Sequence, residues 1–148
     1  MRPADSIAAQ VRPPDPVDAG QSPDAVRLTV PAHLSFLATI RAAVSAIVGE
    51  FGGVEDDRDL QLAADEVASV LIEESRPWTV VQLSVAQDDT DIYVRIVTRR
   101  AQLGRRLVIP KLTQLLLDSA VESYEVFGEG RWGYGILQTS KAGRGSSS

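Results

Sequence analysis

Glu66 is the side chain of this sequence best placed to do chemistry. It lies in the stretch Asp59 to Glu74, DLQLAADEVASVLIEE, where Leu60, Ala63, Ala64, Val67 and Leu71 recur at the three-and-four spacing of a helix packed on a core. Leu62, Glu66, Val70 and Glu74 follow at intervals of four and so stack along the adjacent face. A carboxylate beside an apolar stripe, rather than opposite it, belongs at the edge of a core or in a pocket. There desolvation and neighbouring charge can tune a carboxyl group. The bland alternative is an ordinary solvated helix glutamate.

Three further sets of residues invite a chemical reading. Gly128, Gly130 and Gly133 match the spacing of a dinucleotide-binding fingerprint, which requires a helix N-terminus facing the pyrophosphate. A strand follows here instead, so these glycines read as hairpin geometry, with Trp132 at the tip as packing or as a partner contact. The interval Ile92 to Leu117 contains no Asp or Glu but holds Arg95, Arg99, Arg100, Arg105, Arg106 and Lys111. It reads equally as a solubilising loop or as a positive patch that steers an acidic protein or a phosphate. Arg41, on the exposed side of an earlier helix, is a solvated charge or an anchor for an acidic partner, since its planar fork takes carboxylates bidentately. His33 stands alone as a surface residue.

These groups must be positioned by the elements around them. Met1 to Asp24 holds five prolines without periodicity and reads as a disordered tail. Ala25 to Val30 alternates like a half-buried strand. From Leu34 the residues Leu37, Ile40, Val44, Ile47, Val48 and Phe51 repeat at helical spacing, and Gly52 and Gly53 supply a left-handed stop. The acidic group Glu55, Asp56 and Asp57 starts the second helix, which Arg76 and Pro77 end. Trp78 to Ala86 and Asp91 to Thr98 form an antiparallel hairpin. Arg99 to Arg106 reads as a mobile loop. A third helix runs from Leu107 to Val121 through Val108, Leu112, Leu115, Leu116 and Ala120, with Pro110 near its start. Ser123 to Phe127 and Gly133 to Ser140 make a last strand pair, and the chain frays after Lys141. The expected architecture is a two-layer α/β sandwich with a mainly antiparallel sheet and three helices on one face. Residues 25–141 form one domain, with a flexible tail over 142–148.

The second helix resembles the N-box of the anti-sigma-factor serine kinases, of the GHKL (Bergerat-fold) ATPase superfamily. The likeness is closest to the actinobacterial anti-sigma-F factors, whose N-box begins with a triplet like Asp65, Glu66 and Val67. Val30, Pro31 and Ala32 match the turn that leads into the family's first helix, and the resemblance extends from Val26 to about Lys141. It implies that Glu66 is the base toward the serine of an anti-anti-sigma substrate, and that Arg41 lies near the partner-contacting arginine. It also marks losses. Val70 stands where the family has its magnesium-binding asparagine, and Glu74 where the kinases tend to have histidine. The adenine aspartate has no counterpart between Ile92 and Leu117, and Gly104 alone remains of the nucleotide-binding glycines.

Composition narrows the classes. A chain of 148 residues, 44% hydrophobic, suffices for one core. Its net charge of −5 argues against general nucleic-acid binding. Zero cysteines exclude disulfides and thiolate chemistry, and one histidine disfavours a zinc site, so no metal site is expected among protein ligands alone. No uninterrupted apolar run approaches the ~20 residues of a membrane span, and no export signal is visible. The expectation is a cytoplasmic anti-sigma factor with a degenerate nucleotide site. It would sequester an RNA polymerase sigma factor, be released by a STAS-type anti-anti-sigma protein, and form a homodimer as the resemblance implies. Arg41, Arg99, Arg100, Arg105 and Arg106 would serve as its partner contacts. The alternative is an active serine/threonine kinase that uses ATP and magnesium through Glu66.

Overall fold

The computed structural model describes residues 25–54, 56–103 and 106–142. The tails expected at either end of the chain, together with Glu55, Gly104 and Arg105, lie outside the described residues. Five strands and three α-helices follow in the order β1 (Val26–Pro31), α1 (Leu37–Phe51), α2 (Arg58–Glu73), β2 (Val80–Gln87), β3 (Asp91–Arg99), α3 (Lys111–Ala120), β4 (Ser123–Glu129) and β5 (Trp132–Ser140), with a single 3-10 turn at Leu34–Phe36 before α1. The strands form one sheet in the order β1-β2-β3-β5-β4, and every pairing is antiparallel. All three helices cover one face, giving the expected two-layer sandwich.

Alternation along the strands explains the layering. Leu28 and Val30 of β1, Val81, Leu83 and Val85 of β2, and Ile92, Val94 and Ile96 of β3 point to the helical side, because successive strand residues face opposite ways. They meet Ile40, Val44 and Val48 of α1 and Leu60, Ala63, Ala64, Val67, Ala68, Leu71 and Ile72 of α2, all buried. The whole stripe expected on α2 is therefore core. On the opposite face Val97, Trp132 and Tyr134 form a second buried cluster with Phe127, whose ring stacks on Tyr134 at 5.1 Å between centroids. Trp132 is thus a packing residue.

The stretch Leu34–Phe51 is 18 residues long and apolar enough by composition to be weighed as a membrane span. Arg41, Ser45 and Glu50 interrupt its apolar runs, and its face with Ile40, Val44 and Val48 is buried against the sheet.

Element boundaries and facing depart from the sequence reading in three places. α3 begins at Lys111 and not at Leu107, because Pro110 is its N-cap in extended conformation and disfavours helix in the residue before it. Its buried positions are Thr113, Leu117 and Ala120, while Leu112 and Leu115 are 76% and 55% exposed. Periodicity places Leu116 and Ala120 correctly against the core and misses Thr113, a polar residue in the inward position. β2 begins at Val80 rather than Trp78, since Trp78 has φ of 61° and cannot continue an extended strand.

At the start of α2 no side chain caps the helix from the N-cap Asp57. Instead Asp56 accepts from the Arg58 backbone N–H at 3.0 Å and from its guanidinium at 2.8 Å, and Asp57 accepts from Gln61 at 2.8 Å. His33 lies exposed, its Nδ1 accepting from the Ser35 backbone N–H at 3.1 Å at the turn before α1.

Candidate functional site

The exposed side of α2 and what surrounds it form the candidate site. Glu66 is half-buried, one step round the helix from the core positions Ala63 and Val67. Its Oε1 accepts from the Thr113 hydroxyl at 3.0 Å, and Thr113 is itself 6% exposed on the first turn of α3. A buried hydroxyl needs a partner. This bond therefore ties α3 to α2 and orients the carboxylate. No motif announced Thr113. The signal was a polar residue inside an apolar helical run, LTQLLL.

Arg41 reaches the same turn of α2 from α1. Its Nη1 donates to Asp65 Oδ1 at 2.7 Å, with side-chain exposures of 41% and 18%. Such a half-exposed pair adds little to stability, on the order of 0.2–1 kcal/mol. It does fix the guanidinium beside Asp65, the chain neighbour of Glu66. The fork has five N–H donors, and the Asp65 bond uses one nitrogen, so a partner carboxylate can still approach.

One turn after Glu66, Val70 is half-buried and offers only methyl groups. Glu74 is the C-cap, exposed, its backbone N–H bonded to the Val70 and Leu71 carbonyls. Among the described residues no three Asp, Glu or His side chains gather as a cation site. A magnesium-bound triphosphate needs oxygen ligands for its metal. Val70 supplies none at its position on this face.

The segment after β3 also differs from a free loop. Arg76 N–H donates to the Arg99 carbonyl at 2.8 Å, Ala101 N–H to the Glu74 carbonyl at 2.9 Å, and Ser75 bridges Arg100. The first residues of this segment are thus stapled to the end of α2. Arg100 turns inward and is 6% exposed. Its side chain lies over Gly128 and Gly133, which face each other across β4 and β5. A Cβ at Gly128 would coincide with the guanidinium, and one at Gly133 would lie 3.1 Å from Leu71 Cδ2. A Cβ at Gly135 would strike Val67 Cγ1. The glycine spacing that mimics a nucleotide fingerprint serves close approach of this kind, with Gly130 (φ 60°) making the turn.

Of the residues read as partner contacts, Arg41 sits at the Glu66 corner, Arg99 lies half-buried at the far end of β3, Arg100 is inside, and Arg106 is exposed. They do not form one patch. Arg105 and the nucleotide glycine Gly104 lie outside the described residues.

No protein-family model matches the chain, and no curated protein matches it. Among solved structures it is similar to the crystal structure of the RsbU and RsbW domains of Rv1364c from Mycobacterium tuberculosis. The TM-score is 0.58 at 16% sequence identity, over 78% of this chain and 32% of that one. The chain thus spans about a third of the length of that protein. At this identity the likeness is one of fold, the antiparallel sheet under three helices being shared with that structure.

Proposed function

We propose that this chain is a binding module, an anti-sigma factor that sequesters an RNA polymerase sigma factor in the cytoplasm and is displaced by a STAS-type anti-anti-sigma protein. The observation that carries the reading is the face of α2. Glu66 is kept and oriented by Thr113, while Val70 gives no oxygen to a metal one turn later. A scaffold of this type without its metal donors acts by occupying a partner. Arg41, held at 2.7 Å from Asp65 and 41% exposed, supplies a pre-positioned fork for an acidic partner surface. The homodimer implied by the sequence resemblance belongs to the same proposal. Co-purification of the full chain with sigma factors tests it, with Arg41→Ala reducing retention. Failure to retain any sigma factor at micromolar concentration (~1 µM, about 8 kcal/mol of binding) sinks it.

Glu66 itself favours a second reading, a serine/threonine kinase acting on the anti-anti-sigma protein. Its carboxylate stands at the edge of the core where a general base would serve. Calorimetry with Mg-ATP and a labelled-phosphate transfer assay separate the two. Saturable binding with transfer that disappears in Glu66→Gln would replace the first reading by the second.

A further inference from the structure

The strongest unassigned feature lies at the other end of α2, where three arginines from separate elements are held together by the backbone. Arg76 follows the helix, and its N–H donates to the Arg99 carbonyl at 2.8 Å. Arg131 is in the β4–β5 turn, and its carbonyl accepts from the Arg100 N–H at 2.8 Å. Arg99 pairs with Trp132, the residue after Arg131, across β3 and β5. The three guanidinium groups therefore start from neighbouring backbone positions. None forms an ion pair with a described residue.

The nearest carboxylates in chain and register are Glu74 and Glu129. Neither forms an ion pair with the cluster. Burial lowers the pKa of the Arg99 guanidinium, and Arg76 and Arg131 lower it further. Like charges are thus gathered without the compensation that a folded chain ordinarily provides. Elsewhere the same chain pairs its arginines, Arg41 with Asp65 and Arg58 with Asp56.

Trp78 adds an independent observation two residues after Arg76. Its side chain is fully exposed, at 102%, and its φ of 61° is left-handed. A large aromatic residue in that conformation is strained and has no packing to hold it there. A fully exposed ring two residues from Arg76 joins the residue types that binding hot spots favour, Trp and Arg.

We infer that Arg76, Arg99 and Arg131, with Trp78 beside them, form a docking site for an acidic peptide segment of a protein partner. Carboxylates of the segment would neutralise the arginines, and an apolar side chain between them would cover the Trp78 ring. Nucleic acid is the less suitable occupant, because the cluster is confined to one end of an acidic molecule and offers no track along which a phosphate backbone could run. The site is distinct from the Arg41–Glu66 corner and does not depend on the sigma-factor reading.

The test is fluorescence anisotropy with the full chain and a labelled peptide of alternating glutamate and leucine. A glutamine-for-glutamate peptide and a DNA strand of equal length serve as competing probes. The acidic peptide is expected to bind, and to bind more weakly as salt rises. The double variant Arg76→Gln/Arg131→Gln should lose about tenfold or more in affinity, and Trp78→Ser several-fold, whereas Lys141→Gln, at the opposite end of β5 beside the Asp91–Ser140 pair, should not. Unchanged affinity in the double variant overturns the proposal. So does an equal loss in Lys141→Gln, or tighter binding of the DNA strand or of the neutral peptide. Retention of a sigma factor by the same double variant is scored separately. A folded double variant that loses the peptide but keeps the sigma factor supports this site and leaves the proposed function intact.

Discussion

The two ends of α2 use the same kinds of side chain in opposite ways. At the Glu66 corner each charged group has found an internal partner, Asp65 for Arg41 and Thr113 for Glu66. At the far end Arg76, Arg99 and Arg131 are drawn together by backbone hydrogen bonds, and no described carboxylate is supplied to any of them. The first arrangement holds three helices in register. The second leaves free energy unclaimed until an anion arrives. Internal pairing holds side chains in place, so a partner that uses Arg41 meets it pre-oriented, whereas concentrated like charge at the far end gains its partner only on binding.

Measurements at each end of α2, and on the sheet, would break or sharpen this contrast. The largest effect is expected where α2 touches the sheet between the two ends. Gly135→Ala places a methyl group on Val67 Cγ1 and should destabilise by about 1–3 kcal/mol in denaturant unfolding. Gly128→Ala should cost less, because the atoms it meets belong to the long side chain of Arg100. Equal costs would mean that Arg100 is held as rigidly as the core.

At the satisfied corner, Thr113→Val leaves Glu66 without its donor and should cost about 1 kcal/mol. A change within a few tenths would show that the carboxylate finds water instead. At the open end the sign reverses. Trp78→Gly removes a side chain from a left-handed position and should raise stability by about 1 kcal/mol, seen as a higher Tm. A lower Tm would mean that the indole packs on something in solution. A double-mutant cycle between Arg41 and Asp65 should give a coupling of about 0.2–1 kcal/mol, as for other half-exposed pairs.

The smallest effect concerns acid. The Tyr93 hydroxyl at 2.7 Å, then the Thr90 and Asp91 backbone N–H groups, hold the pKa of Asp88 down from 3.8 to about 2. A carboxyl group whose pKa falls on folding stabilises above its unfolded value, so this contribution is present above about pH 4 and disappears as pH drops through about 2. Asp88→Asn should flatten that part of the stability profile. An unchanged acid limb would assign it to Asp56, which Arg58 likewise holds down to about 2.

Much of this molecule could be read before folding. The apolar stripe of α2, the Gly52–Gly53 stop with φ of 75° and 76°, the β2–β3 hairpin and the antiparallel sheet under its helices all follow from periodicity and turn chemistry. Glu66 stood out because its position beside the stripe is a property of helix geometry. The start of α3 was misread because Leu107, Val108 and Ile109 continue an apolar pattern that Pro110 forbids as helix. Arg100 could not be placed, since an arginine after a strand reads as surface until Gly128 and Gly133 are known to make room for it.

Sequence by itself determined which residues are helical, which alternate, and which carboxylate borders the core, because these depend on neighbours within a few positions along the chain. Tertiary structure alone decided that Thr113 meets Glu66 across 47 positions, that Arg41 is spoken for by Asp65 across 24, and that Arg76, Arg99 and Arg131 share one end of the sheet. Those encounters depend on how α3 and the β4–β5 turn return to α2. Local spacing carries no record of that return, and the balance of paired and unpaired charge is struck only when it is complete.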